Sequence, residues 1–442
     1  MKQRLIILLT ILLLTPSPAL AVSPYVSQPR TKIVQIGIGL DEERLVDEMT
    51  RFIESCEGFT RFNFLLMSYE IIWRESFIRY LATKGEIIPV FYYLQTYTPE
   101  ERKECVDRNL QTFKKILGTN PNGSFQFQPD TFTSNYLAQN YGTRYVAGYC
   151  LDQYLVDYMT MRGGWQFPYY ANRTNIYVPS KDKGTIVLPH VTFDLVARYT
   201  RDHRYNTHPL NALEMSHGDR TRAATYITSL IDETLNSTQP FGYARVEFEF
   251  GWAYRSGAIP FIQDYVRELI KRRDVTFMTN NELATWFNQT FPTTPTYRIN
   301  YLSPATGEKA EWFFSSEIRA SRKDSVVNSL VDYSKQEPDK FLTQKTTVNF
   351  SKDWGPHNHI DTSLDFSVDG LGGGVDNPIP VQEGIGYSGP LEHVREHLDE
   401  EGTLAWTNRS FPLVAFVIMI AAAAVLWRKG LGKRVSLSER KR

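Results

Sequence analysis

The stretch 85-GEIIPVFYYLQTYTPEER-102 decides how the rest of the chain is read. Its apolar run ends at Val90 and reads as a buried strand. A cluster of aromatic and polar side chains follows: Phe91, Tyr92, Tyr93, Gln95 and Tyr97, with no histidine, cysteine or acid between Pro89 and Glu100. A helix start comes at once. Thr98 is a cap, Pro99 suits the first helical position, and Glu101 completes a capping box. Val106, Leu110, Phe113 and Leu117 form the apolar stripe, and Gly118 ends it. Strand, loop and helix in this order are the repeating unit of an α/β fold.

The same unit recurs on both sides. KIVQIGIGL is a buried-strand pattern, and the following helix carries Leu45, Met49, Phe52, Ile53 and Cys56 on one stripe. RFNFLLMSYEII, SFQFQ, YVAGYCL, TIVLPHV, ARVEFEF and VTFMT are further strand candidates. IPFIQDYVRELIKRR and ELATWF read as helices. Repeated strand-then-helix units mean a parallel sheet, and so long a run suggests a closed barrel over 31–291, with a doubly wound open sheet as the competitor. From 292 to 370 the texture changes: TPTYRINYLSP, AEWFFSSEIRA and KTTVNFS alternate as exposed strands do, which predicts a small β-rich accessory domain. Residues 371–410 are Gly-, Pro- and charge-rich and read as a stalk.

The two ends predict export and anchoring. Lys2 and Arg4 precede an apolar core from Leu5 to Leu14, and Ala19-Leu20-Ala21 supplies cleavage-site residues, so 1–21 is expected to be a signal peptide. Phe411 to Trp427 is uncharged and meets the lower limit of roughly 17 residues for a membrane helix. Arg428, Lys429, Lys433 and Arg434 mark 428–442 as a cytoplasmic tail. The expectation is a single-pass cell-membrane protein, its bulk extracellular and its C-terminal helix in the bilayer. Lys plus Arg and Asp plus Glu number 49 each, which leaves no electrostatic footprint for a nucleic-acid partner. Three cysteines, Cys56, Cys105 and Cys150, allow one bridge and a free thiol or three thiols, and fit no zinc motif. Sequons begin at Asn122, Asn172, Asn236, Asn288, Asn349 and Asn408.

In the order of its segments, the region from about Lys32 to Phe287 resembles the polysaccharide deacetylase family. KIVQIGIGLDEE stands where that family has a strand ending in paired aspartates. GEIIPVFYYLQTYTPEER stands where it has a glycine-led strand ending in two metal-binding histidines. LGTNPNGSFQFQPDTF, YVAGYCLDQYLVDYM and DVTFMTNNELATWF resemble its later segments. The resemblance implies an irregular (β/α)7-type barrel, and an activity that places an aspartate and two histidines around a divalent metal whose bound water attacks an acetyl carbonyl. This chain departs from the pattern: Pro89, Val90, Phe91, Tyr92 and Tyr93 stand in place of the histidines. Apolar and phenolic groups cannot replace imidazoles on zinc. No metal and no cofactor are therefore expected.

Chemistry is then expected from carboxylates at strand ends. Asp41 follows IGIGL and could equally cap a helix. Asp152 follows the strand that resembles the one carrying the family's orienting aspartate. His190 resembles the family's acid histidine, whereas His203, His208 and His217 read as a solvated loop. Glu247 and Glu249 alternate with Val246, Phe248 and Phe250, so both acids share one face. Inside a barrel they would be costly unless paired, hydrogen-bonded or used, and a carboxyl held there is expected to have a raised pKa. Tyr92, Tyr93, Gln95, Gln126, Gln128, Trp165 and Tyr169 are the expected substrate contacts. The function these residues imply is a surface carbohydrate-active protein that hydrolyses or modifies polysaccharide through carboxylates; the alternative is an inactive glycan-binding barrel.

Overall fold

The computed structural model describes residues 31–323 and 326–332, except 68–72, 93, 95–96, 128, 150–166, 175, 177 and 198–203. Of two compact units, Met1–Thr31 and Lys32–Arg442, all the elements below belong to the second. The expected signal peptide, stalk, membrane helix and tail lie outside the described residues. Among the described residues no helix is long and apolar enough to cross a membrane.

In chain order the elements are β1 (Lys32–Leu40), α1 (Val46–Glu54), β2 (Phe62–Leu66), α2 (Glu75–Ala82), β3 (Gly85–Tyr92), α3 (Pro99–Leu117), β4 (Gly123–Phe127) and α4 (Thr131–Tyr141). Then come β5 (Tyr145–Tyr149), β6 (Tyr169–Tyr170), β7 (Ile186–Pro189), α5 (Pro209–Met215), α6 (Arg220–Ser237), β8 (Thr238–Gln239) and β9 (Gly242–Glu249). The series ends with α7 (Phe250–Arg255), α8 (Ile259–Leu269), β10 (Thr276–Phe277), α9 (Asn280–Thr290), β11 (Tyr297–Leu302), β12 (Lys309–Phe314), β13 (Ile318–Lys323) and β14 (Val326–Asp332). The capping box read at Thr98 is present: Glu101 N–H donates to the Thr98 hydroxyl at 3.3 Å and Thr98 N–H to the Glu101 carboxylate at 2.8 Å. Gly118 closes α3 in the left-handed conformation.

A curled sheet carries the parallel run β9-β1-β2-β3-β4-β5-β7. The short β10 sits beside the start of β1, below β2. The expected closure is incomplete, because β7 and β9 are not hydrogen-bonded to each other as strands. Instead the chain after β7 bridges to β9. Thr192 N–H donates to the Arg245 carbonyl at 3.1 Å, and Arg245 N–H donates to the Thr192 hydroxyl at 2.8 Å. The Thr207 hydroxyl also donates to that carbonyl.

Alternation along the strands sorts side chains into two layers. Val34, Ile36, Ile38 and Leu40 of β1, with Ala244, Val246 and Phe248 of β9, pack outward among α1, α6 and α8. Ile33, Ile88, Val90, Phe125 and Tyr243 pack on the inner side. A second, antiparallel sheet runs β14-β13-β12-β11-β8. Tyr297, Ile299 and Tyr301 of β11 and Trp312 and Phe314 of β12 face the inner core, while Arg298, Asn300 and Leu302 stay exposed. Because β8 belongs to this sheet, its hydrogen bonding reaches back across residue 292 into the barrel region.

Candidate functional site

The inner face of β9 is the origin of the site. Tyr243, Arg245, Glu247 and Glu249 alternate inward, opposite Gln35, Gly37 and Gly39 of β1. Glycine at position 37 is needed for space, since a Cβ there would lie 2.6 Å from Glu247 Oε2 and 3.1 Å from Arg245 Nη2. Arg245 is fully buried. Its Nε and Nη2 donate to Glu247 Oε2 at 2.8 and 2.5 Å, and its Nη1 donates to Asn280 Oδ1 at 2.7 Å and Gln35 Oε1 at 3.3 Å. Tyr243 completes the column by donating to Gln35 Oε1 at 2.8 Å. Every strong donor of the buried cation that faces Glu247 is thus matched, as a charge in this environment requires.

Nearer the strand's C-terminal end, two histidines meet the two glutamates. His190 Nε2 lies 2.7 Å from Glu247 Oε1, and His208 Nε2 lies 2.9 Å from Glu249 Oε2. His190, just after β7, rests edge-on against Phe125 at 5.4 Å. His208 is brought in by the loop before α5, where its N–H donates to Asn206 Oδ1 at 2.8 Å. Its ring lies 5.2 Å from the Trp252 ring, and Trp252 is 37% exposed. Asp41, past the end of β1, caps α7 rather than its own helix: it accepts from Gly251 N–H at 2.5 Å and Trp252 N–H at 3.2 Å.

The electrostatics divide these carboxyls. Burial alone would raise Glu247, but the neighbouring His190 and the Arg245 guanidinium outweigh it and hold the carboxyl below its ordinary value. Burial also opposes ionisation of Glu249, yet the hydrogen bond and charge of His208 bring it down to about 2. The raised pKa expected for inward acids is therefore wrong at both glutamates, because each meets a group that favours its ionised form. Asp41 goes the other way: burial pushes it up, the Gly251 N–H pulls back, and the charge of Glu249 adds to the rise.

The structure brings together Asp41, His190, Glu247 and Glu249 from the sequence reading, and adds His208, Arg245 and Trp252. His208 corrects the solvated-loop reading, because its side chain is 6% exposed and bound to Glu249. Arg245 had a visible signal, the same strand parity as the two glutamates. Two expected contacts are corrected. Gln126 is 2% exposed and turned toward α4, donating to Ser124 Oγ at 3.0 Å and Ser134 Oγ at 3.4 Å. Tyr169 is fully buried, donates to the Ile176 carbonyl at 3.0 Å, and packs on Phe314. Asp152, Tyr93, Gln95, Gln128 and Trp165 lie outside the described residues, as does the side chain of Tyr92. Cys56 and Cys105 are free thiols.

The deacetylase resemblance implies one aspartate and two imidazoles around a metal. Here both oxygens of Asp41 hold α7, and the Nε2 atoms of His190 and His208 meet different glutamates. Val90 and Phe91 at the end of β3 are buried apolar groups. Among the described residues no three His, Cys, Asp or Glu side chains are grouped so that they could hold a metal ion. The described residues do not fit that ligand set.

Residues 87–307 match the family model described as "Domain of Unknown Function with solved-structure structure (DUF3863)". No curated protein matches the chain. Among solved structures it is similar to a candidate polysaccharide deacetylase from Mycobacterium smegmatis, at 14% identity and a TM-score of 0.39, covering 61% of this chain and 95% of that one. It is also similar to an allantoinase, at 12% identity and a TM-score of 0.36, over 61% and 94% of the two chains. A CE4 family pseudoenzyme from Bacillus anthracis aligns at 8% identity and a TM-score of 0.32, over 58% and 66%. Polysaccharide deacetylases, which the segment order resembles, are thus among the proteins this chain is similar to.

Proposed function

The chain belongs to the DUF3863 family, whose matched segment holds both histidine–glutamate pairs, and we propose that it is a carbohydrate-active hydrolase working through them. The observation that carries this reading is the pairing of each inward acid of β9 with its own histidine, Glu247 with His190 and Glu249 with His208. In this reading Glu247, anchored by Arg245, orients His190 and stabilises the charge the imidazole gains when it takes a proton. His190 deprotonates a water that attacks the scissile bond, and returns the proton to the leaving oxygen or nitrogen. Glu249, ionised and partly open to the mouth, supports positive charge that develops on a sugar ring. The exposed face of Trp252 supplies an apolar platform for that ring. Sugar as the substrate class is supported by this platform beside the acids and by the family resemblance in segment order. The apolar segments at 5–14 and 411–427 support a membrane-anchored protein with this site outside the cell.

The test is hydrolysis of a glycan library by the full chain, with Glu249→Gln and His190→Ala compared with the parent. A loss of about a hundredfold or more in kcat is expected for His190→Ala, in the range of general acid–base contributions. Full activity in both variants overturns the assignment. A second reading, an inactive glycan-binding barrel, is favoured by Val90 and Phe91 at the end of β3, where the resemblance implies imidazoles. Glycan binding with no turnover in the parent supports that one.

A further inference from the structure

A groove of about 490 Å³ lies away from the two histidine–glutamate pairs, between α3, α4 and the loop at 172–174. α3 and α4 follow β3 and β4, so their first turns stand at the same end of the sheet as the candidate site. Hydrogen bonds tie its walls together. Asp130 caps α4 by accepting from Thr133 N–H at 2.8 Å, and it accepts from Arg102 of α3 at 3.0 Å. Asn135 donates to the Arg173 carbonyl at 2.9 Å, and Ile176 N–H donates to the Thr131 hydroxyl at 3.1 Å, which ties the loop to α4.

Phe132 and Tyr136 form a parallel aromatic pair, their planes 3° apart and centroids 6.5 Å apart. Lys103 holds its ammonium 5.7 Å from the Phe132 ring centre, and Arg173 is exposed at the rim. Neither cation has a carboxylate partner among the described residues. The nearby acid, Asp107, is turned to tyrosines, accepting from the Tyr136 hydroxyl at 2.8 and 3.0 Å. Two cations with no carboxylate partner among the described residues, an aromatic pair and the amides of Asn135 and Gln139 line one concavity.

We propose that this groove is a second saccharide site, which takes an acidic pyranose unit such as a uronate. The cations would meet the carboxylate and the amides the ring hydroxyls, with the aromatic pair behind an apolar sugar face. An oligonucleotide fits less well: two cations are few, and the formal net charge of the chain is zero. The site is independent of the hydrolysis proposed above, because none of its residues belongs to the β9 pairs.

Calorimetric titration of the full chain with hexagalacturonate tests it, with maltohexaose, hexathymidylate and inorganic phosphate as comparison ligands. Hexagalacturonate should bind, and the K103A/R173A double variant should weaken it at least tenfold with the melting temperature unchanged. K103R/R173K should retain most of the affinity, and Glu249→Gln should leave it unaltered. Absent hexagalacturonate binding, or equal affinity in K103A/R173A, overturns the proposal. So does equal or tighter binding of the neutral hexamer, the oligonucleotide or phosphate. A loss confined to Trp252→Ala would assign the ligand to the barrel mouth and overturn it as well.

Discussion

One oxygen of Glu247 lies 2.7 Å from His190, while the other accepts two N–H groups of Arg245 at 2.8 and 2.5 Å. A histidine near the surface is thereby coupled to a cation with no solvent exposure. The arrangement resolves a desolvation problem and positions an imidazole at the same time. Charge balance inside the barrel and the geometry of the candidate site are one network.

The first consequence concerns Arg245. Removing one member of a buried pair leaves the other charged and unmatched, which costs about 3–5 kcal/mol. Arg245→Met should lower stability by that order in denaturant unfolding. The double variant Arg245→Met, Glu247→Leu should lose much less than the sum of the single changes, since no charge is left behind. Additive losses would show that the two side chains do not act as a pair.

Gly37 tests the same network sterically. Its missing Cβ is the space occupied by the Glu247 carboxylate, 2.6 Å away. That carboxylate is held on both sides and cannot swing aside, so Gly37→Ala should cost about 1–3 kcal/mol, as overpacking generally does. A stability equal to the parent's would mean that Glu247 is free to move.

How much of this was legible depended on what each face of a strand meets. In ARVEFEF the acids face inward and the apolar residues meet the helices, so alternation and its energetic logic lead to the Glu247 and Glu249 site. In SFQFQ the same alternation has the opposite sense, with Phe125 inward and Gln126 beneath α4. Both faces of a barrel strand are covered, so polarity alone cannot say which is which. The capping box at Thr98 could be read because it is local. His208 could not, because its partner lies 41 residues away and nothing in DHRYNTHPL marks the loop as folding inward. The direction of the glutamate pKa shifts is hidden for the same reason: the sequence does not name the group beside each acid.

In the proposed hydrolase, Trp252 is the sugar platform. Its ring is 37% exposed and sits 5.2 Å from His208. Loss of a stacking face worth about 1.4 kcal/mol weakens binding about tenfold. Trp252→Ala should therefore raise KM or Kd for a bound glycan by that factor, while Trp252→Phe should restore most of it. Equal affinities for all three forms would remove the platform from the site.

The Glu249–His208 pair sets an acid limit. Glu249 is held at about 2 against an ordinary 4.5, so its folded pKa is depressed. Its stability contribution is full above about 4.5 and is lost as pH falls toward 2. Glu249→Gln should lower the melting temperature at neutral pH and flatten its decline over that interval. An unchanged decline in the variant would assign the acid sensitivity to other carboxyls.

Glu86 should act with the opposite sign. At the start of β3, it accepts from Asn281 N–H at 2.7 Å and from the Tyr145 hydroxyl at 2.9 Å. Burial raises it to about 7, although the Asn281 and Tyr145 hydrogen bonds partly oppose the rise. A carboxyl that binds its proton more tightly when folded contributes stability below its ordinary 4.5, and that contribution is lost as pH rises through about 7. Glu86→Gln removes the ionisation while keeping the shape. The amide oxygen can still accept from Asn281 N–H, and the amide N–H can donate to the Tyr145 hydroxyl oxygen. The variant should therefore lose less melting temperature than the parent between about pH 5 and about pH 8, because the ionisation linkage is gone. The same loss in both proteins would mean that Glu86 is ionised in the fold throughout this range, with its two donors outweighing burial.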